Sequence, residues 1–269
     1  MAHRHLPKLS DGEFRYLQQM MAEVSGIHMA DSKRMLVAGR LMSRLRALEQ
    51  GDFRQYVDFL RQPANQDERR LVIDLLTTNE TYFFREPRHF EFLGQWAATQ
   101  RGPLHLWSAA SSSGEEAYSI AMTLAEHART PHWSVFASDL SLRVLERARQ
   151  GIYPLEQAAQ FPADWLQRHC LRGVNDHEGS FRIGQQLRHR VAFAELNLMR
   201  ELPAEVGPFN VIFLRNVLIY FSNPDKRAIV ERLVERLRPG GLLFIGHAES
   251  LHGFTLPLRT LRPSVFERT

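Results

Sequence analysis

Two glutamates behind a run of small residues give the first chemical signal in this sequence. Ala110-Ser111-Ser112-Ser113-Gly114 leads directly into Glu115 and Glu116, and apolar residues at helical spacing follow. Small side chains and a glycine let a ligand come close to the backbone. A phosphate site would want glycines and free amides opening onto a helix. Two acids at that point repel an anion and suit a ligand carrying positive charge. The plain structural alternative is that Glu115 and Glu116 complement a helix dipole. The next apolar run ends at Ala137-Ser138-Asp139, 25 residues beyond Gly114. An acid there is placed to accept hydrogen bonds from a ribose diol, as in nucleotide-binding α/β folds. It could equally cap the following helix, together with Ser141. Loop and acid together favour an adenosine-bearing ligand without phosphates. Arg215, Asn216 and Tyr220 follow a third apolar run and are further candidates; a core tyrosine with a paired hydroxyl is the alternative for Tyr220.

These residues need elements to hold them. From Leu104 onward, short apolar runs alternate with helical stretches. The pattern predicts strands over Leu104 to Ala109, Trp133 to Ser138, Phe209 to Leu214 and Leu242 to Gly246. It predicts helices over Glu115 to His127, Leu142 to Arg149 and Asn223 to Leu237, the last ended by Arg238-Pro239-Gly240-Gly241. Such alternation means a parallel, doubly wound α/β sheet, whose ligands sit at the carboxyl ends of the strands. Phe181-Arg182-Ile183 and Val191-Ala192-Phe193 break the rhythm and predict a small antiparallel excursion over about 172–195.

Upstream, residues 1–78 predict a small all-helical domain with no strand candidates. Ser10 and Asp11 offer an N-cap before Phe14, Leu17, Met20 and Met21, and Gly26 ends that helix. Asp31 and Ser32 can cap a second helix, on which Met35, Ala38, Leu41, Met42, Leu45 and Leu48 share one face. Lys33, Arg40 and Arg44 share another. Gly51-Asp52 and Pro63 separate two further helices. Residues 79–88 are polar, then aromatic, then broken by Pro87, as in a linker with a task of its own.

Composition bounds the class. The chain has 269 residues, 44% apolar and 24% charged, with net charge +4. The balance is ordinary for globular proteins, and the positive excess favours an acidic partner. No Lys/Arg block resembles a nucleic-acid tail. No run approaches the ~18 apolar residues of a membrane span, and Met1 to Pro7 lacks the apolar stretch of a secretion signal. Cys170 is the only cysteine, so a disulfide framework and a cysteine-rich zinc site are both excluded. The expectation is a cytoplasmic protein.

Four long stretches resemble the CheR-type chemotaxis receptor glutamate methyltransferases. They are Thr78 to Glu86 (TNETYFFRE), Trp107 to Ala121 (WSAASSSGEEAYSIA), Arg215 to Phe221 (RNVLIYF) and Gly240 to Ser250 (GGLLFIGHAES). They stand in the family's order and span nearly the whole chain. The family often has cysteine and threonine where this chain has Ser111 and Ser113, and usually proline at Ala117. Neither change removes a group that ligand binding needs.

The resemblance implies a class I, Rossmann-like methyltransferase sheet over residues 89–269, a small antiparallel β-subdomain insertion and the N-terminal helical domain. The cofactor would be S-adenosylmethionine (SAM), leaving as S-adenosylhomocysteine, with no metal. Asn79, Thr81 and Arg85 would close over it. Ala109 and Gly114 would border it, and Glu115 and Glu116 would hold its amino-acid end. Asp139 would bind the ribose, Asn197-Leu198 would bracket the adenine, and Arg215 and Asn216 would line the pocket. Arg85 and Tyr220 would form the catalytic pair. Lys33, Arg40 and Arg44 would meet the acidic methylation helices of a chemoreceptor, though a solvated helix face is their plain alternative. The β-subdomain would dock a receptor C-terminal peptide in some members. A monomer is expected, without nucleic acid and without membrane insertion. Rival readings are a SAM-dependent enzyme acting on another acidic protein or on nucleic acid, and a non-catalytic SAM-binding regulator. Asn216-Val217-Leu218-Ile219-Tyr220 lacks the prolines of an amino-methylating Asn-Pro-Pro-Tyr turn, which weighs against nucleic acid.

Overall fold

A computed structural model describes residues 7–269. Residues 1–6, on which the absence of an apolar leader is read, lie outside them. The chain divides into two compact units. A helical unit runs to Thr78 and includes Tyr220–Ser222; an α/β unit comprises Asn79–Ile219 and Asn223–Thr269. No helix among the described residues is long and apolar enough to cross a membrane.

The helical unit opens with α1 (Asp11–Ser25). Ser10 caps it reciprocally: the Glu13 amide donates to the Ser10 hydroxyl, and the Ser10 amide donates to the Glu13 carboxylate at 2.7 Å. Gly26 closes it at φ 71°. Neither Asp31 nor Ser32 caps α2 (Arg34–Ala47). A 3-10 turn, Asp31–Lys33, precedes it with no side-chain cap, and Asp31 accepts from Gln18 instead. The buried row of α2 is Val37, Leu41 and Leu45, whereas Met35, expected on the apolar face, is 82% exposed. The i, i+4 row starting at Val37 meets the core, and Met35 falls two positions off it. Helices α3 (Phe53–Arg61, capped by Asp52) and α4 (Gln66–Leu76) complete the unit.

Two of the three cations in the basic stripe on α2 are engaged within the unit. Lys33 is exposed, but Arg44 donates to both oxygens of Glu68 on α4, at 3.0 and 2.6 Å, and Tyr56 donates to the same carboxylate at 2.6 Å. Arg40 donates from Nη1 to the carbonyls of Leu75, Leu76 and Thr77 at 3.2, 3.2 and 2.9 Å. These carbonyls end α4 and lack partners within the helix, so a guanidinium there completes them. Arg40 and Arg44 therefore hold α2 to α4 and are not a free cationic face.

In the α/β unit, Pro87 does not break a helix; it opens one, α5 (Pro87–Ala97), at the position where a missing amide costs nothing. Next come β1 (Leu104–Ala109), α6 (Glu115–His127), β2 (Trp133–Asp139), α7 (Leu142–Gln150), β3 (Ile152–Pro154), α8 (Trp165–His169), β4 (Cys170–Arg172), β5 (Ser180–Ile183), α9 (Gln185–Arg188) and β6 (Val191–Glu195). The chain continues with β7 (Phe209–Leu214), α10 (Asn223–Glu235), β8 (Leu237–Ile245), β9 (Leu258–Arg262) and β10 (Val265–Arg268). The main sheet has the order β6-β2-β1-β7-β8-β10-β9. Strands β6 through β8 are parallel, but β10 is antiparallel to both its neighbours, so the sheet is mixed rather than wholly parallel. Its central strands are apolar on both faces, as a sheet covered by helices on both sides requires. Arg238 to Gly241 lies within β8, not in a helix terminus; a register shift opposite Phe209/Val211 takes up the irregularity.

The small sheet is β3-β5-β4, antiparallel throughout. The excursion expected over 172–195 thus begins earlier and ends sooner, because Val191–Glu195 pairs in parallel with Val135–Asp139 at the edge of the main sheet. Two nearby apolar triplets suggested a hairpin, but α9 lies between them and redirects the chain.

Candidate active site

Strand β1 ends at buried Ala109, and the chain turns through three residues with positive φ, Ala110 (64°), Ser112 (49°) and Gly114 (96°), before α6 begins. A Cβ on Gly114 would lie 2.8 Å from the Ala148 Cβ and 2.9 Å from the Tyr153 hydroxyl, so only glycine fits there. Three of the loop amides are already used. Ser111 N–H donates to the Ser138 carbonyl (2.8 Å), Ser112 N–H to the Asp139 carboxylate (2.8 Å), and Gly114 N–H to the Ser111 carbonyl (3.1 Å). A phosphate would need such amides free. Tyr153, from the small sheet, donates to the Ser113 carbonyl at 2.7 Å and backs the loop from below.

Four carboxylates stand around this turn. Glu115 is 1% exposed and accepts from the Ser113 hydroxyl. Burial pushes its carboxyl above the usual range despite that bond. Glu116 accepts from the Ser108 hydroxyl (2.7 Å) and from Arg215 (2.9 Å). Burial raises it too, against the pull of Arg215. Asp139 accepts from the amides of Ser112 and Ser141 with one oxygen each, and Ser141, not Asp139, caps α7. Glu86, held at φ 59°, is the fourth.

Arg215, with its side chain 1% exposed, lies between Glu116 and Glu86, 2.9 and 3.0 Å from them, and also donates to the Arg85 carbonyl. The rings of Phe90 and Phe213 lie beside it. One guanidinium serves two acids. Burial alone would raise Glu86, but the Arg215 charge and bonds, with further donors, hold its carboxyl below the usual range. Asn216 also donates to Glu86 (3.2 Å), and its own amide donates to Glu249. Glu86, His89 and His247 offer ligand atoms within 4.8 Å of one another. Within this cluster Arg215 sets a fixed positive charge against Glu86, and the His247 amide donates to the same carboxylate at 3.2 Å.

The linker is anchored by its aromatics. Phe83 and Phe84 are buried, edge-on to Tyr153, Phe161, Phe90 and Trp165, and the Phe84 amide donates to the Ser119 hydroxyl on α6. Asn79 accepts through its carbonyl from Ser112. Thr81 is half-buried. Arg85 lies over the Tyr82 ring at 5.6 Å and donates to the Glu80 carbonyl. Beyond β6, the Leu196 amide donates to the Asp139 carbonyl (3.0 Å), which brings half-buried Asn197 and buried Leu198 next to that acid. The candidate residues Asn79, Ala109, Gly114, Glu115, Glu116, Asp139, Arg215 and Asn216 thus converge on the carboxyl ends of β1, β2 and β7. Tyr220 groups with the helical unit, where its carbonyl accepts from the His28 amide at 3.1 Å.

The sequence reading left Glu86, His89, Tyr153 and Glu249 without roles. Glu86 stands directly before Pro87, and an acid beside that break was the signal available; Glu249, three residues past the predicted strand end at Gly246, carried none.

The description "CheR methyltransferase, all-alpha domain" matches residues 12–77, and "CheR methyltransferase, SAM binding domain" matches residues 79–265. A chemotaxis protein methyltransferase of Escherichia coli K12 is 46% identical over 244 residues, covering 90% of this chain and 85% of its own. One from Salmonella typhimurium LT2 is 45% identical over the same spans. Chemotaxis protein methyltransferase 2 of Pseudomonas aeruginosa PAO1 is 41% identical over 260 residues, with coverage of 94% and 92%.

Proposed function

The chain belongs to the CheR methyltransferase family, and from that premise we propose that it methylates glutamate side chains of chemotaxis receptors to give glutamyl methyl esters. The observation that carries the reading is the turn after β1, where carboxylates gather and the amides of Ser111, Ser112 and Gly114 are spent internally. That surround rejects phosphates and favours a cationic adenosine ligand. Bound SAM supplies a methyl group on a positively charged sulfur.

The chain's own residues divide the remaining work. Glu115 and Glu116 hold the ligand's ammonium, Asp139 accepts from the ribose hydroxyls, and Asn197 and Leu198 bracket the adenine. Asn79, Thr81 and the Arg215–Asn216 pair complete the enclosure. An ionised glutamate, with reference pKa about 4.3, is already nucleophilic at neutral pH, so no general base is required. Alignment is the main demand. Arg85 positions the substrate carboxylate and Tyr220 donates a hydrogen bond to it. A full bidentate fork from Arg85 would stabilise the ground state and slow the reaction, so a single positioning contact is the arrangement proposed. Lys33 meets the acidic receptor helix. The outer edge strand β4, with Leu171 and the following Val174 exposed at 59% and 65%, takes a receptor C-terminal peptide as an added strand. The acting species is a cytoplasmic monomer.

Transfer of labelled methyl from SAM to receptor-bearing membranes, with RNA in parallel, tests the proposal. Base-labile label on the receptor and none on RNA is the expected result. Label on RNA alone would replace it, and SAM binding without transfer to either would favour a regulatory module.

A further inference from the structure

The stretch after β8, His247-Ala248-Glu249-Ser250, has no part in the reading above, yet it walls a cavity. Glu249 turns its carboxylate inward and accepts from three backbone amides, those of Asn216 (2.9 Å), Leu218 (2.6 Å) and Gly246 (2.6 Å). The loops leaving β7 and β8 are thereby tied together. Between them and the start of α10 is a cavity of about 290 Å³, with Leu218, Ile219 and Phe254 as apolar walls and Lys226 and His252 on its polar side. Its size is at the small end of ligand pockets. It opens at the carboxyl ends of β7 and β8, beside the turn that receives the donor, which is the face where ligands of such sheets bind. Three amides solvate the Glu249 carboxylate and hold it between the two loops. Lys226, half-buried, has no carboxylate partner among the described residues. The cavity therefore presents a half-buried cation outside any ion pair among the described residues, facing apolar walls, with the amide-bound Glu249 also in its lining.

We propose that this cavity is a substrate subsite that receives a second acidic side chain of the receptor segment, close to the glutamate being methylated. The proposal rests on the receptor assignment made above and specifies what that segment must carry. The apolar walls take the methylene groups of the entering side chain, and Lys226 meets its carboxylate. Lys226 is a specificity residue and takes no part in methyl transfer.

The test pairs enzyme and substrate changes on the full chain. A receptor methylation-region fragment is prepared with native sequence, and again with the glutamates adjacent to the accepting one changed to glutamine. Each is assayed with the wild-type protein, Lys226→Ala, Lys226→Glu and Lys226→Arg. S-adenosylhomocysteine affinity is measured by calorimetry for each protein. The expected result is a KM for the native fragment raised about tenfold by Lys226→Glu, with kcat and product affinity within about twofold of wild type. Lys226→Arg restores KM. The glutamine fragment raises the wild-type KM and removes the difference between wild type and Lys226→Ala. Equal KM for all four proteins overturns the subsite, as does an effect of Lys226→Ala that is the same on both fragments. A wild-type chain that binds the product but methylates no receptor fragment overturns the receptor assignment itself, a separate outcome from those two.

Discussion

Arg215 ties together stretches of the α/β unit that lie far apart in the chain. Glu86 is 129 residues away and Glu116 is 99. A partnership over such distances leaves no periodic trace, so the sequence pointed to Arg215 as a pocket-lining residue and gave no reason for Glu86. The loop acids were legible because a run of small residues announced them locally. His89 packs below this hub, 3% exposed, and neither ring nitrogen has a hydrogen-bond partner among the described residues. Burial, with the Arg215 charge next, lowers its pKa from 6.5 to about 4. Between those values the unfolded chain binds the proton and the folded chain does not. Stability therefore rises with pH through that window and is lost as pH falls. From pH 7.5 to 4.5 the single histidine accounts for about 2–3 kcal/mol of that loss. In His89→Phe, unfolding free energies from urea titration should fall by that much less over the same interval. Equal falls in both proteins would mean that the imidazole is protonated in the fold. The depressed Glu86 carboxyl acts in the same direction but at lower pH, so the interval stops above it.

At the scale of elements, the amphipathic and capping signals placed α1, β1, α6 and β7 within the boundaries the structure shows, because each is bounded by a polar or glycine-rich break. The hairpin β9–β10 escaped notice. Leu258–Arg262 is short and mostly exposed, with two arginines and a threonine, and so gives little apolar signal. Helix α2 shows a different limit: a helical wheel ranks charges by face but does not reveal which of them another helix will use. Burial raises the Glu68 carboxyl, but bonds from Arg44 and Tyr56 outweigh it and hold that carboxyl low, as expected of an acid working within the fold. Arg44→Ala should cost about 1–3 kcal/mol by leaving a partly buried carboxylate underpaired. Lys33→Glu, on an exposed side chain, should leave stability within about 0.5 kcal/mol while slowing receptor methylation. Thermal melts alongside the transfer assay separate the two. Loss of stability in Lys33→Glu, or none in Arg44→Ala, would reverse this assignment of roles.

For the whole molecule, the governing property is the charge gathered around the turn after β1, where the donor is proposed to bind. A ligand that binds only the folded state stabilises it by RT ln(1 + [L]/Kd), about 2.7 kcal/mol at a hundredfold excess over Kd. S-adenosylhomocysteine should therefore raise the melting temperature by several degrees and NAD should leave it unchanged at equal concentration, read by differential scanning calorimetry. A shift with NAD would contradict a turn ringed by carboxylates, with the Ser111, Ser112 and Gly114 amides already engaged. The overall α/β order was legible because strands and helices alternate with different apolar periods. The reversal of β10 and the true extent of the small sheet were not, since both depend on which segments pair, and pairing is settled by the assembled core.

The hydroxyl of Tyr153 reaches out of the small sheet to the carbonyl of Ser113. This makes the subdomain a poor candidate for a plug-in cassette. Grafting the equivalent segment from a relative would also replace a strut under the turn after β1. A chimaera that omits a hydroxyl at position 153 would take on a foreign small sheet and lose that support in one stroke.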